Sequence, residues 1–414
     1  MLLAMLLVCS AQATKLLLPM DGSQKDHLKA YGIAFWTISQ ELPVEWLLNY
    51  RGGSFLIDHY QSIEQECVVR GVTYNVIADG QAAEILREIA DPEANMEVVK
   101  LEKAPRIAVY APESFQPWDD AVALVMTYAE IPYTRIYDRE IIAGVLPKYD
   151  WLHLHHEDFT GQYGKFYGQF RNAAWYQDQV RESEAMAAEL GFAKVSAMKG
   201  AVAGTIRDYV AGGGYLFTMC SGTDSYDIAL AAEGVDICTP EFDHDAMDPQ
   251  AQQKLDFSRG FAFQDYHLVT DPMTYEFSDI DGTQEHSRSG GETRDFFTLF
   301  DFSAKWDVVP SMLCQNHEQV IHAFMGQTTD FRRRFVKPNV LVMGESKPLG
   351  TARYIHGEFG LGQWTFYGGH DPEDYQHLVG DPPTDLSLFP NSPGYRLILN
   401  NILFPAARKR KQKT

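Results

Sequence analysis

Short apolar runs alternate with amphipathic stretches through the middle of the chain. Arg106 to Tyr110, Tyr133 to Tyr137 and Asp150 to Glu157 read as strands. Between the first two, Val122, Met126 and Ala129 fall on one stripe of a helix capped by Asp119 and running to Ile131. Val202, Ile206 and Val210 mark another helix over 201–210. A glycine turn, Gly212-Gly213-Gly214, leads into an apolar strand that ends at Met219, then Cys220, then a further helix through Ala232. Strands and helices alternating at this length predict an α/β protein with a doubly wound, mostly parallel sheet.

The flanks carry a different pattern. Residues 14–104 predict a small α+β unit, with a helix over 25–37 (Leu28, Gly32 and Phe35 on one side), strands over 45–50 and 96–101, and a helix over 81–90. Asp91-Pro92 and Ala104-Pro105 punctuate its boundary. The main domain spans 105–405. It includes a polar and aromatic helical segment over 163–190 and an irregular insert over 234–304, rich in Asp, Gly and aromatics, that is expected to overhang the site. Strands are expected over 308–313, 320–325 and 339–343. A hairpin follows around Gly360-Leu361-Gly362, and a closing helix over 393–403 starts at Pro393. The basic run 406–414 is a solvated tail.

Composition narrows the function. With 414 residues the chain is long enough for two or three domains of ~150 residues. Its 45% hydrophobic and 13% aromatic content supplies packed cores. A net charge of -21 argues against nucleic acid as a partner, since phosphate binding needs a basic face. The first 13 residues form a short apolar run ending in Ala11-Gln12-Ala13, the pattern of a secretory signal peptide, so the chain is expected to be exported to the periplasm or cell surface, with no integral membrane segment after processing. Removing that segment leaves Cys67, Cys220, Cys238 and Cys314; a disulfide among Cys67, Cys238 and Cys314 is open, and zinc-ribbon spacing is absent.

The chemistry centres on Cys220. A cysteine at a strand's carboxyl end, before a helix, has the layout of a nucleophile elbow. Such a thiol is activated by the helix N-terminus and a nearby base; its bland counterpart is a buried core cysteine. His370 follows an apolar strand and Gly368-Gly369, which places it at a sheet edge as the partner base. Either Glu373 or Asp371 would orient its ring. The N–H of Ser221 would help stabilise an oxyanion. This site takes a small molecule, an amide if the thiol is catalytic, and calls for no cofactor and no metal. A competing metal reading rests on His153 and His155 on one strand face, with His156, Glu157 and Asp158 at its end, and on Asp243-His244-Asp245 in the insert. A polar sheet edge accounts for the same residues. Arg51-Gly52-Gly53 is either an anion cradle or a glycine turn.

Two resemblances follow from these residues. The Cys220 elbow and the late His370-Asp371-Pro372-Glu373 resemble the Cys–His–Glu pattern of the class I glutamine amidotransferase-like fold, and 362–403 looks like its trehalose-utilisation-type members. The family triad has His-Pro-Glu, whereas Asp371 intervenes here, and Thr218 stands where a glycine is usual. The resemblance implies a cysteine-dependent amide hydrolase. Ser221-Gly222-Thr223-Asp224-Ser225 is similar to the pyrophosphate loop of ATP-dependent asparagine synthetases, one glycine short. Leu18-Pro19-Met20-Asp21, His27 to Gly32 and Asn49 to Ser54 resemble exported bacterial proteins labelled asparagine synthetase B. That resemblance implies ATP-dependent amide synthesis. A binding protein that kept the fold and lost the chemistry is the non-enzymatic alternative.

Overall fold

The computed structural model describes residues 14–112, 120–284, 295–307, 313–322, 324–375, 378 and 380–407. The expected signal peptide, the Asp119 cap, Ser289-Gly290-Gly291, the first five residues of the strand expected over 308–313 and the tail from 408 lie outside them.

The first hundred residues build their own sheet. Strands β1 (Thr14–Leu18), β2 (Val44–Leu48), β3 (Ser54–Asp58), β4 (Asn75–Ala78) and β5 (Glu97–Leu101) lie in the order β4-β1-β3-β2-β5, every neighbour antiparallel. Helix α1 (His27–Ser39) covers one face, and α2 (Gln61–Arg70) and α3 (Asp79–Ala90) complete the unit. Asp26 caps α1 by accepting from Lys29 N at 2.8 Å. In the Arg51 turn Gly53 N donates to Tyr50 O at 3.0 Å, Arg51 Nε donates to Asp21 at 2.7 Å, and Gly52 O accepts from the Arg396 guanidinium.

The second sheet corrects the expectation of a mostly parallel, doubly wound fold. It is mixed and ten-stranded. The expected βαβ run gives β6 (Ile107–Tyr110), α4 (Ala121–Tyr128), β7 (Thr134–Ile136), α5 (Asp138–Ile142) and β8 (Trp151–Leu154). Then come α6 (Tyr167–Phe170), α7 (Ala174–Glu189), α8 (Val195–Ala211), β9 (Tyr215–Met219) and α9 (Ser221–Ala231). β6, β7, β8 and β9 pair in parallel, as their helical crossovers demand. Beyond α9 the crossovers stop. The described part of the insert holds the short helices α10 (Pro240–Asp243) and α11 (Ala251–Lys254), 3-10 turns and isolated bridges before β10 (Phe296–Leu299), which joins the sheet.

The remaining strands are β11 (Val320–His322), β12 (Phe331–Arg332), β13 (Leu341–Ser346), β14 (Thr351–Phe359) and β15 (Gly362–Tyr367). The sheet order is β11-β10-β13-β14-β15-β9-β8-β6-β7, with β12 on β14. The connections 347–350 and 360–361 are too short for a crossover, so β13, β14 and β15 must run antiparallel. Only β15 returns to the parallel half, pairing Tyr367 with Met219. Counting both sheets, antiparallel pairing prevails. The sequence pattern was right for one half of this sheet, where strands alternate with helices, and was extended wrongly to the rest.

The closing helix α12 (Pro393–Leu403) falls where its capping residue and Pro393 place it; Ser392 Oγ accepts from Tyr395 N. It joins the two sheets through one apolar core that includes Tyr31, Ile33, Val122, Met126, Leu397 and Ile398. α1 also meets α4, where a Cβ at Gly32 would stand 1.9 Å from Ala129 O, so only glycine allows that approach. Arg396, fully buried on α12, donates to Tyr31 OH at 2.9 Å and to Met20 O at 3.2 Å. Cys67, Cys220, Cys238 and Cys314 are all free and buried. No helix among the described residues is long and apolar enough to cross a membrane.

At this seam His27 and His317 lie with ring centroids 4.4 Å apart. Burial, with the nearby Arg396 charge, lowers His27 to about 4 from an ordinary 6.5. The same causes, with His27 added, lower His317 to about 3. Both rings are therefore neutral in the fold at pH 5, while the unfolded chain protonates them below about 6.5. The unfolded state then binds more protons, so stability falls as pH drops. Between pH 7 and pH 5 this pair is expected to contribute a downward slope of roughly 2–4 kcal/mol to the urea-unfolding free energy, opposed by Glu157 and Asp281, which burial raises to about 7. His317→Gln should flatten part of that slope; an unchanged slope would remove this pair as its cause.

Candidate functional site

Parallel pairing brings three strand ends to one rim. β8 ends at Leu154, β9 at Met219 and β15 at Tyr367, and the residues that follow are His155, Cys220 and Gly368. Cys220 and His370 therefore share a rim, as expected. Gly326 marks how close they are: a Cβ there would meet His370 Cβ at 2.7 Å and Cys220 Sγ at 3.4 Å.

The elbow has the expected backbone. Cys220 sits at φ 49, ψ -141, a conformation costly for any residue with a side chain. The thiol, however, is 2% exposed, and Sγ donates to Gln327 O at 2.8 Å. Burial drives its pKa far up, Asp224 and Asp281 push the same way, and bonds to Ser221 only partly oppose this. A nucleophilic cysteine needs the opposite environment.

Helix α9 is put to another use. Its first turn clamps the chain just past β8. Gly222 N donates to His155 O at 2.7 Å, Ser221 Oγ to His156 O at 3.0 Å and Ser225 Oγ to Glu157 O at 3.2 Å. Three successive carbonyls are thereby held by one helix N-terminus. Gly222 makes the approach possible, since a Cβ there would lie 2.2 Å from His155 O.

The clamped residues point their side chains at Asp120 and His370. Asp120, the actual N-cap of α4, accepts through Oδ1 from Val122 N at 2.8 Å and Ala123 N at 3.0 Å. The same oxygen lies 3.2 Å from His153 Nε2 and 3.2 Å from His155 Nδ1. Burial alone would raise this carboxyl; the His153 and His155 charges and hydrogen bonds outweigh it and hold it well below the carboxylate range. His153 also places Nδ1 3.1 Å from Phe217 O, which fixes its ring between β8 and β9.

His370 stacks against the clamped histidines. Its ring centroid is 4.4 Å from that of His155 and 5.9 Å from that of His156. The carboxylates expected to orient it are engaged elsewhere. Asp371 accepts from Tyr395 OH at 2.8 Å, Thr384 Oγ1 at 2.7 Å and Glu373 N at 2.9 Å. Glu373 is raised by burial, partly offset by a hydrogen bond from Ser392. Both serve the junction with α12. The triad expected from sequence is thus only half assembled, and His155 and His156 take the place of its acid.

A cavity of about 640 Å³ opens beside this cluster, walled by Tyr110, Asp120, Tyr137, His155, His156, Glu157, Phe166 and Trp175 among others. Burial raises Glu157 to about 7, with Asp138 and Asp158 adding to the shift and Lys199 and the Tyr137 hydroxyl opposing it. Tyr137 OH donates to Glu157 Oε2 at 3.1 Å, and Lys199 Nζ donates to Tyr137 OH at 3.2 Å and Tyr110 OH at 2.8 Å. Sequence reasoning passed over Asp120, Tyr137 and Lys199. The Asp120 cap was one residue from the one expected, but Lys199 carried no signal, being one lysine on an ordinary helix. The insert contributes to the rim from outside, as Gln327 Nε2 donates to Tyr275 O at 2.7 Å. A second cavity of about 630 Å³ lies at the opposite ends of β6, β8 and β9, beside Arg106, Asp150 and Gly214, and contains none of the expected site residues.

No family model matches this chain, and no curated protein does. Among solved structures it is similar to two cytoplasmic proteins of Salmonella typhimurium. STM3548 is 10% identical at a TM-score of 0.35, and STM1381 is 12% identical at 0.34; each alignment covers 73% of this chain and 100% of that one. A β-galactosidase from Bacillus circulans sp. alkalophilus aligns over 63% of this chain and 28% of its own, at 10% identity and a TM-score of 0.23. Likenesses this slight bear on neither fold nor function.

The clamp generates a direct comparison between two helical glycines. Gly222→Ala forces a methyl into His155 O and is expected to cost about 1–3 kcal/mol in urea unfolding. Gly200→Ala, on α8 with no atom within 4 Å of the added Cβ, should be neutral or stabilising by about 0.5–1 kcal/mol. Equal effects would remove the clamp from the account.

Proposed function

We propose that this rim is the active site of a hydrolase that splits an amide or related polar bond in a small molecule held in the adjoining cavity. The observation that carries the reading is the convergence of His155, His156, Glu157 and Tyr137 on one cavity, with His370, from a distant segment, packed against the two histidines. Hydrolysis needs one group to take a proton from water and another to give one to the leaving group. His155 and His156, with Glu157 and its Tyr137 donor, supply both roles along one wall, and His370 packs behind the two imidazoles. Lys199 acts through Tyr137, which it holds in place.

A second reading keeps Cys220 as the nucleophile, with His370 moving the proton and the Ser221 N–H meeting the oxyanion. Its support is the strained backbone at φ 49. Against it stand the buried thiol and the thiol proton committed to Gln327 O. Amide synthesis at 221–225 has less support. The groups that would hold pyrophosphate, Ser221 Oγ, Gly222 N and Ser225 Oγ, are bonded to the carbonyls of His155, His156 and Glu157. Export from the cell fits the first 13 residues and stays part of the proposal.

Ammonia or amine release from a panel of small amides separates the readings. His370→Gln is expected to lower kcat/KM by about 10²-fold or more, whereas Cys220→Ala should stay within about tenfold of the parent. Complete loss in Cys220→Ala, with an acyl adduct trapped on the parent thiol, would move the chemistry to the cysteine. A parent protein without turnover on any amide would set the hydrolase aside.

A further inference from the structure

We infer that His155, His156 and His370 form a binding site for one divalent transition-metal ion of the zinc class. One ring nitrogen from each lies within 4.8 Å of the others. A tetrahedral zinc site with Zn–N bonds of 2.0–2.1 Å sets its nitrogens ~3.3 Å apart, so small ring rotations close the gap. The backbone around two of the three ligands is already fixed, because the α9 clamp holds the carbonyls of His155 and His156.

The surroundings have the second layer that such sites use. Asp120 Oδ1 lies 3.2 Å from His155 Nδ1, which leaves Nε2 as the coordinating atom. A carboxylate behind a ligating histidine sets its tautomer and ring orientation. Asp120 is itself held by two amides at the start of α4 and by His153. His155 and His370 are 1% and 5% exposed, whereas His156 is partly open and, with His155, lines the cavity. Three protein ligands, two of them lining a cavity, leave a fourth position for water or substrate, the arrangement of a catalytic rather than a structural ion. Neutral imidazole donors select zinc, cobalt, nickel, copper or ferrous iron over magnesium and calcium, which require oxygen ligands.

The other candidate groupings are occupied by the protein itself. Asp236, Cys238 and Asp243 gather around Lys194, whose Nζ lies 2.7 Å from Asp236, 3.0 Å from Asp243 and 2.9 Å from Asp245, so a built-in cation fills that place. In the grouping of Asp120, His153 and His155 the shared Asp120 Oδ1 already accepts from Val122 N and Ala123 N at the start of α4, and His153 is tied to Phe217 O through Nδ1. The metal site stands on the placement of three imidazoles and does not require the hydrolase reading. With an ion bound, the three imidazoles would serve as its ligands rather than as proton carriers; the ion would activate water by lowering its pKa to about 7, and Glu157 would remain the proton-transfer group.

Metal binding is measured on the full chain without substrate, so its result is independent of any activity. Chelator-treated protein is titrated with zinc chloride and, separately, magnesium chloride, and bound metal is counted after gel filtration. One zinc per chain and no magnesium are expected. His155→Gln and His370→Gln should each weaken zinc binding by about 100-fold or more, and Asp120→Asn by about 10- to 100-fold. His267→Gln, at an exposed histidine, should change nothing. Circular dichroism checks that each variant folds. If a ligand variant fails to fold, cobalt added to the parent protein decides: visible bands of a nitrogen- and oxygen-ligated ion are expected. A parent that keeps no zinc, zinc retained by folded His370→Gln, or a near-ultraviolet sulfur-to-cobalt band would each overturn the three-imidazole site.

Discussion

The hydrogen bonds between the first turn of α9 and the chain beyond β8 are the constraint on which the site depends. A helix N-terminus has unsatisfied amides, and a strand that has left its sheet has unsatisfied carbonyls. Here one amide, Gly222 N, and two hydroxyls at the helix start, Ser221 Oγ and Ser225 Oγ, meet three such carbonyls. Left unpaired in this buried region, each such group would cost about 1–3 kcal/mol, against a net gain of about 0.5–1.5 for a hydrogen bond made. The asymmetry fixes the backbone at His155, His156 and Glu157. It also accounts for the short polar residues that follow Cys220: Ser221 and Ser225 supply hydroxyls to the clamp, and Gly222 supplies room.

Seen from the clamp, the strain at Cys220 has a structural purpose. The chain must turn sharply from β9 into α9 for the helix to begin beside His155. A residue at φ 49 makes that turn. The same turn drives the sulfur inward, where it donates to Gln327 O and loses the exposure and anionic character that nucleophilic attack needs. The backbone of a nucleophile elbow and the function of one are thus separable. Here the elbow delivers a helix N-terminus to a row of carbonyls, and the imidazoles occupy the rim.

The mixed sheet explains why that rim is accessible. Its parallel half, β7 to β9, sends its carboxyl ends toward one edge, where ligands collect in open α/β sheets. β15 extends this half by one strand before the hairpin to β14 reverses the direction. His370 is therefore carried to the rim by the last strand that runs the right way. The N-terminal unit supplies none of these rim residues. Through α1, α12 and the buried Arg396 it packs on the side of the second sheet that carries α4 and closes the core there.

Much of this was written in local pattern. The apolar stripe Val202, Ile206, Val210, the hairpin around Gly360 and the helix opening at Pro393 follow from periodicity and turn chemistry, which act between near neighbours in the chain. The same reasoning placed Cys220 and His370 on one rim, because strand, turn and helix signals flank both. Apart from that hairpin it could not give which strands after α9 pair with which, and so their direction in the sheet, nor see that Asp371 turns to Tyr395 and Glu373 to the α12 junction. Whether a thiol is reactive is set by what packs over it, and Gln327 is 107 residues away. The meeting of His155, His156 and His370 was likewise decided only in three dimensions. Two of them sit on a clamped loop and the third on a distant strand end, and nothing in their spacing along the chain records that the clamp and the parallel register bring their rings together.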